Sequence, residues 1–139
     1  MIKTDLPLGG GGGGGSPSPS NEIHLQGVFD GGGSAITNNS ITYLRGPNYS
    51  STITAWSIIV DTGTITIDVL KIANTDGGTL PVASITAAAT PSIAAGNQHY
   101  STILTGWTIA NLALDVFAFK VTAISGATKA SITIFCSVP

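Results

Sequence analysis

Thr64-Ile65-Thr66-Ile67-Asp68-Val69 alternates strictly between polar and apolar residues. Successive side chains of a β-strand point to opposite faces, so Ile65, Ile67 and Val69 share one face. The alternation changes phase at Leu70, which predicts either a bulge or a strand that is buried on both faces. This stretch therefore predicts a strand whose apolar face packs on a core.

Two segments nearer the C-terminus alternate in the same way, from Asp115 to Ile124 and from Ala130 to Ile134. We expect their apolar faces to carry Phe117, Phe119, Val121 and Ala123 in the first segment and Ala130, Ile132 and Ile134 in the second. Between them, Ser125-Gly126-Ala127-Thr128 predicts a hairpin loop.

Further strands and turns complete the pattern. A strand is predicted from about Thr52 to Val60, followed by a tight turn at Asp61-Thr62-Gly63. Weaker strands are predicted near Ile41 to Arg45 and around Tyr100 to Thr105. Seven or eight short strands separated by turn signals predict an all-β fold, a single β-sandwich of jelly-roll type.

The composition changes sharply near residue 22. Residues 1–22 include seven consecutive glycines, Gly9 to Gly15, and an alternation of Ser and Pro from Ser16 to Ser20. Polyglycine has a large backbone entropy to lose and no side chain to bury, so it does not fold alone. We therefore predict an extended Gly/Ser/Pro-rich N-terminal arm, residues 1–22, and a β-sandwich domain, residues 23–139.

The role of this arm has two interpretations. It is either a flexible linker, natural or engineered, or a tether that becomes ordered only against a partner. In the second case the apolar residues ahead of the glycines act as anchors: Ile2, Leu6 and Leu8. A short apolar head before a linker is typical of a tethered docking peptide.

Composition excludes several classes of function. Charged residues make up 9% of the chain, against roughly 25% in typical soluble domains, and the net charge is −2. Five basic residues form no stripe for nucleic acid and no basic amphipathic helix for a membrane surface. We expect neither partner, and we expect a weakly charged surface to be buried in an assembly.

No pattern of catalytic or metal-binding residues is present in the sequence. His24 and His99 lie far apart in the chain and neither has a nearby acidic pattern, and the glycine run lacks the Gly-Lys-Ser/Thr of a phosphate loop. The single cysteine, Cys136, excludes an intrachain disulfide and a cysteine-rich metal site. We expect a protein that is not an enzyme and has no cofactor.

Trp56 and Trp107 lie in two similar segments, Thr52–Ile58 and Thr102–Ile109, which suggest two related halves. An indole in such a place is either a packing residue, in the core or between subunits, or a platform for a sugar ring. We therefore retain Trp56 and Trp107 as candidate subunit or ligand contacts.

Several segments together resemble a group of small virion proteins of tailed phages. They are Ser51–Ile58, Thr64–Lys71, Leu80–Thr86, Leu104–Thr108, Asp115–Val121 and Ser125–Ala130. The resemblance covers roughly residues 49–134. It implies a β-sandwich domain of a virion structural protein, commonly a homotrimer, with no catalytic residue to carry over.

The resemblance does not separate head from tail. We expect a whole protein, because the chain begins with Met and ends at Pro139. An arm with one compact domain suits a capsid decoration (cement) protein or a short head fibre, held on the outer surface of the particle by its arm. Its partners would be itself and the major capsid protein or another virion protein. The alternatives are a tail-fibre or receptor-binding tip that recognises a host glycan through exposed aromatic residues, and a generic interaction domain.

Overall fold

The structure, a computed structural model, describes residues 21–139, and helices are absent from that part of the chain. Nine strands are formed there. They are β1 Glu22–Asp30, β2 Ile41–Arg45, β3 Ser51–Val60, β4 Thr64–Ile72, β5 Ser92–Ile93, β6 Gln98–Ser101, β7 Ala110–Asn111, β8 Val116–Ser125 and β9 Lys129–Ser137. Within residues 21–139, no helix is long and apolar enough to cross a membrane.

The strands form two antiparallel sheets that pack face to face as a β-sandwich. Sheet A has the order β1-β9-β3-β6, with β7 also paired to β3, and sheet B has the order β2-β8-β4-β5. If β6 and β7 are taken as one interrupted strand, the chain pairs first strand with last, second with seventh, third with sixth and fourth with fifth. This nesting is that of a long hairpin rolled into a sandwich, so the jelly-roll prediction is confirmed.

The core lies between the sheets and consists of the apolar faces that alternation predicts. Ile65, Ile67 and Val69 of β4 are fully buried, as are Ile132 and Ile134 of β9. Phe117, Phe119 and Val121 of β8, the neighbour of β4 in sheet B, are equally buried. Each fully buried side chain of this size contributes about 1.5–3 kcal/mol relative to exposure, so these faces supply much of the folding free energy.

The prediction for Ala123 is wrong. Thr66 of β4 pairs with Ala123, but Ile67 pairs with Val121, so Thr122 is an extra residue in β8. A bulge of one residue moves every later side chain to the other face. Ala123 is consequently exposed and Ile124 packs against the core instead. At Leu70 itself the pairing is regular, and Val69 and Leu70 are both buried, so there the second alternative is correct: β4 is buried on both faces.

The predicted hairpin loop at Ser125–Thr128 is also wrong, because β8 and β9 belong to different sheets. Asp61–Gly63 is the tight connection that was predicted, but it too crosses between the sheets, from β3 to β4. Gly63 has a φ of +71°, and a Cβ there would lie 1.9 Å from the carbonyl oxygen of Ser125. Only glycine allows these two corners of the sandwich to approach so closely.

The internal repeat around the tryptophans is not structural. Trp56 lies in β3, whereas Trp107 lies in the loop between β6 and β7. The weak strand predicted around Tyr100–Thr105 is β6, shifted to Gln98–Ser101, and β2 has the predicted bounds. The first strand, Glu22–Asp30, carried no prediction of its own, because Gly27 interrupts its apolar face.

Candidate interaction surfaces

Three segments meet at one end of the sandwich, which we call the basal end: residues 46–50, 73–83 and 109–115. Gly46 donates its amide hydrogen bond to Asp115 O (2.8 Å), and Leu114 donates to Pro47 O (2.7 Å). The amide of Lys71 donates to Ala83 O (3.1 Å), which brings the second segment to the same end. The basal end is therefore a single surface built from loops that are far apart in the chain.

A buried ion pair ties the basal end together across the two sheets. Lys71 of β4 lies 3.6 Å from the Asp115 carboxylate, and these side chains are 12% and 4% exposed. Lys71 Nζ also donates to Ala110 O (2.6 Å) and Asn111 Oδ1 (3.1 Å) of β7, in the other sheet. Asp115 in turn accepts a hydrogen bond from the Leu112 amide (2.9 Å). The Lys71 ammonium thus links β4 of sheet B to β7 of sheet A and holds residues 109–115, the third basal segment, in place.

Apolar side chains project from this end into solvent. The exposed ones in the three basal segments are Tyr49, Leu80, Val82, Ile109 and Leu112, and Val82 is 84% exposed. The same segments carry only two charged residues, Asp76 and the buried Asp115. Clustered, uncharged apolar exposure of this kind marks an interaction site more often than scattered single residues do.

The chain preceding the domain leaves from the basal end. Glu22, the first residue of β1, pairs with Ser137, and Ser137 pairs with Thr52 near the start of β3. The amide of Val138 also donates to Asn21 O (2.6 Å). The anchor candidates Ile2, Leu6 and Leu8 lie outside the described residues, but the arm begins beside the apolar basal loops.

A second surface lies on the outer face of sheet A. Val28 of β1 and Ile59 of β3 both pair with Ser131 of β9, so the two apolar side chains flank a small one. They enclose an open cavity of about 300 Å³, which we call the sheet A trough. Its residues are Val28, Phe29, Asp30, Ile59, Val60, Asp61, Lys129, Ala130 and Ser131.

The two ends of this outer face differ in chemistry. Asp30, Asp61 and Lys129 lie at the end of the trough that is far from the basal end. Toward the basal end the same face carries an aromatic row, in which the ring of Phe135 lies 4.6 Å from that of His24 and 5.5 Å from that of Tyr100. Tyr100 is 60% exposed.

The two tryptophans are buried. Trp56 packs against the ring of His99 at 4.9 Å, and Trp107 donates its indole N–H to Ala89 O (2.9 Å). The structure does not bring them together, and their role as subunit or ligand contacts stays a prediction.

The predictions made from the sequence did not include the exposed apolar residues of the basal loops. The sequence does contain a signal for them, because these loops are stretches with Gly and Pro that include apolar residues and almost no charged ones.

Polar clusters in the described residues serve the fold. Asp68 Oδ1 accepts hydrogen bonds from Ser84 Oγ (2.7 Å) and Thr86 Oγ1 (2.8 Å), which fastens the segment after the basal loop to β4. Cys136 is buried, and this burial raises the pKa of its thiol. Within residues 21–139, no three His, Cys, Asp or Glu side chains are grouped closely enough to hold a metal ion.

The chain shows little similarity to known proteins. No family model matches the chain, and no curated protein matches it. Among solved structures, the chain is similar to a chain described as "Cyanophage Pam1 capsid asymmetric unit", with 15% identity over 92% of each chain and a TM-score of 0.36. At this identity and TM-score the similarity assigns no function to the protein.

Proposed function

We propose that this protein is a structural component of a tailed-phage virion, either a capsid decoration (cement) protein or a short head fibre. Its basal end and N-terminal arm together attach it to the outer surface of the shell, and it performs no catalysis. The resemblance of its sequence segments to small phage virion proteins supports the class of protein. The placement of the arm supports the mode of attachment.

The observation that carries this proposal is that the arm leaves the domain beside its apolar end. Tyr49, Val82 and Leu112 are exposed on loops that carry a single exposed charge, Asp76. A partner that covered these loops would gain about 25 cal/mol for each Å² of apolar surface removed from water. The arm would start at the edge of that interface, so both could bind one partner at once.

Homotrimerisation is part of the same proposal. Ordering an arm costs roughly 1–2 kcal/mol per residue, which one short apolar head with Ile2, Leu6 and Leu8 offsets poorly. Three arms presented by one trimer raise the effective concentration at a three-fold site of the shell. Sedimentation equilibrium of the purified full chain tests the oligomeric state directly, and a purely monomeric species would contradict this part of the proposal.

The attachment is tested by cryo-electron microscopy of phage particles that carry this chain. We expect density on the outer shell with the basal end toward the capsid. Particles complemented with Val82→Asp/Leu112→Asp, or with residues 1–15 deleted, should lack that density. Tyr43→Asp is the matched control, since Tyr43 is exposed on β2, outside the basal end. Full decoration by the basal and arm variants would contradict the proposal, as would absence of the wild-type chain from the particle.

A receptor-binding tip is the second candidate function. Exposed tyrosines favour it, chiefly Tyr100 beside Phe135 on the outer face of sheet A, with Tyr43 and Tyr49 elsewhere. A glycan array separates the two functions. Specific sugar binding that Tyr100→Ala abolishes in a folded protein, together with density at the distal end of a tail appendage, would replace the decoration role.

A further inference from the structure

The sheet A trough is an apolar depression without an occupant among the described residues. Its walls, Val28 of the edge strand β1 and Ile59 of the inner strand β3, are 62% and 57% exposed. The cavity of about 300 Å³ is open, so both walls are in contact with water. An apolar side chain that entered it would release that water.

The shape of the trough suits an extended segment of chain. Val28 and Ile59 lie two strand spacings apart, about 10 Å, with the small Ser131 between them. Along β9 the floor continues from Ser131 to Thr133, while the aromatic ring of Phe135 closes that direction. A peptide that lay along β9 would place one side chain between the two walls and the next alternate side chain over Thr133.

The head of the N-terminal arm has the matching pattern. Ile2, Leu6 and Leu8 all occupy even positions, so an extended chain presents them on one face. Pro7 restricts Leu6 to extended backbone and has no amide hydrogen to satisfy. The odd positions carry Lys3 and Asp5, whose side chains would then face away from the trough toward solvent.

The linker is long enough for this contact within one chain. From Glu22 to Val28, β1 rises about 20 Å at about 3.3 Å per residue. Residues 9–21 are thirteen residues, which span at most about 45 Å when extended. Seven of them are glycines, which reverse direction at little steric cost. A flexible tether of this kind gives a millimolar effective concentration, so a contact with a dissociation constant of about one millimolar or lower is populated.

We propose that the sheet A trough binds residues Ile2–Leu8 of its own chain, with one aliphatic side chain between Val28 and Ile59 and the others along β9. The contact keeps the arm head on the domain until a site with a higher affinity for the arm binds it. It lies within one chain, so it stands apart from the proposed attachment to a phage shell. The apparent affinity of the arm for any outside partner is then reduced by the fraction of chains in which the arm is free.

Disulfide trapping in the full chain tests this proposal. Leu6→Cys is combined with Ser131→Cys at the trough floor, and oxidation is followed by peptide mass spectrometry and non-reducing electrophoresis. The matched control combines Leu6→Cys with Ser125→Cys, an exposed residue at the end of β8 in sheet B. The native Cys136 is buried and serves as an internal reference for unfolding.

We expect the trough pair to form an intramolecular disulfide at least tenfold faster than the control pair, at a rate independent of protein concentration. Adding Val28→Asp/Ile59→Asp should lower the rate to that of the control, with unchanged thermal unfolding of the domain. Equal rates for the two pairs would overturn the proposal. A product that is only intermolecular would also overturn it, because the arm would then bind a second copy.

Discussion

Asp61 accepts hydrogen bonds from both the amide and the hydroxyl of Thr128, although 67 residues separate them in the chain. Asp61 lies in the connection from β3 to β4, and Thr128 in the connection from β8 to β9. The amides of Thr62 (2.8 Å) and Lys129 (3.1 Å) donate to the same carboxylate. One side chain therefore ties together two corners at which the chain passes between the sheets.

This arrangement predicts a specific loss of stability in acid. The hydroxyl of Thr128, followed by the Lys129 amide, lowers the pKa of Asp61 from 3.8 to about 2. Because the folded-state pKa is depressed, the stabilisation is fully present above about pH 4 and is lost as the pH falls toward 2. Asp61→Asn should remove this part of the pH dependence. Urea unfolding of both proteins between pH 2 and 6 measures it, with Asp76→Asn as the control, and parallel curves for wild type and Asp61→Asn would contradict the prediction.

Lys71→Met should be among the most destabilising single substitutions. It leaves the Asp115 carboxylate buried without its ammonium partner, and breaking a buried pair in this way costs about 3–5 kcal/mol. Lys129→Met, at an exposed lysine, should change the free energy of unfolding by less than about 0.5 kcal/mol. Chemical denaturation gives both values. Similar small effects for the two variants would show that the cross-sheet tie contributes little.

Gly27→Ala should destabilise the sandwich by about 1–3 kcal/mol through overpacking. A Cβ on Gly27 would lie 2.4 Å from a ring carbon of Phe119, which is fully buried and has no room to move. Phe119→Leu should make room for that methyl group, so the double variant should lose less stability than the sum of the two single changes. Strict additivity in this double-mutant cycle would rule out the proposed clash.

Cys136 should be inert toward thiol reagents in the native state. Burial raises the pKa of its thiol, and the thiolate is the reactive form. A chromogenic disulfide reagent at pH 8 should therefore detect no thiol in the folded protein and one per chain in urea. Ser137→Cys, at the exposed neighbouring position, should react at once. Rapid modification of native Cys136 would mean that the end of β9 opens readily.

The fold class could be predicted from the sequence, and the surfaces largely could not. Alternation in β4 and β9 predicts which side chains are buried, because a strand with one buried face repeats with a period of two. Alternation in β8 predicts Phe117, Phe119 and Val121 correctly and Ala123 wrongly. The bulge at Thr122 is set by pairing with Thr66 and Ile67 of β4, which no local pattern records.

The sequence by itself determined that this chain is an all-β sandwich with a glycine-rich arm, since backbone preferences and the period of burial are local properties. Only the tertiary structure decided which sheet each strand joins, so the predicted hairpin at Ser125–Thr128 became a corner between sheets. It also decided that Val28, Ile59 and Ser131 form one trough and that Tyr49, Val82 and Leu112 share one end. These groupings depend on strand pairing between distant segments, and that pairing is fixed by the packing of the whole core.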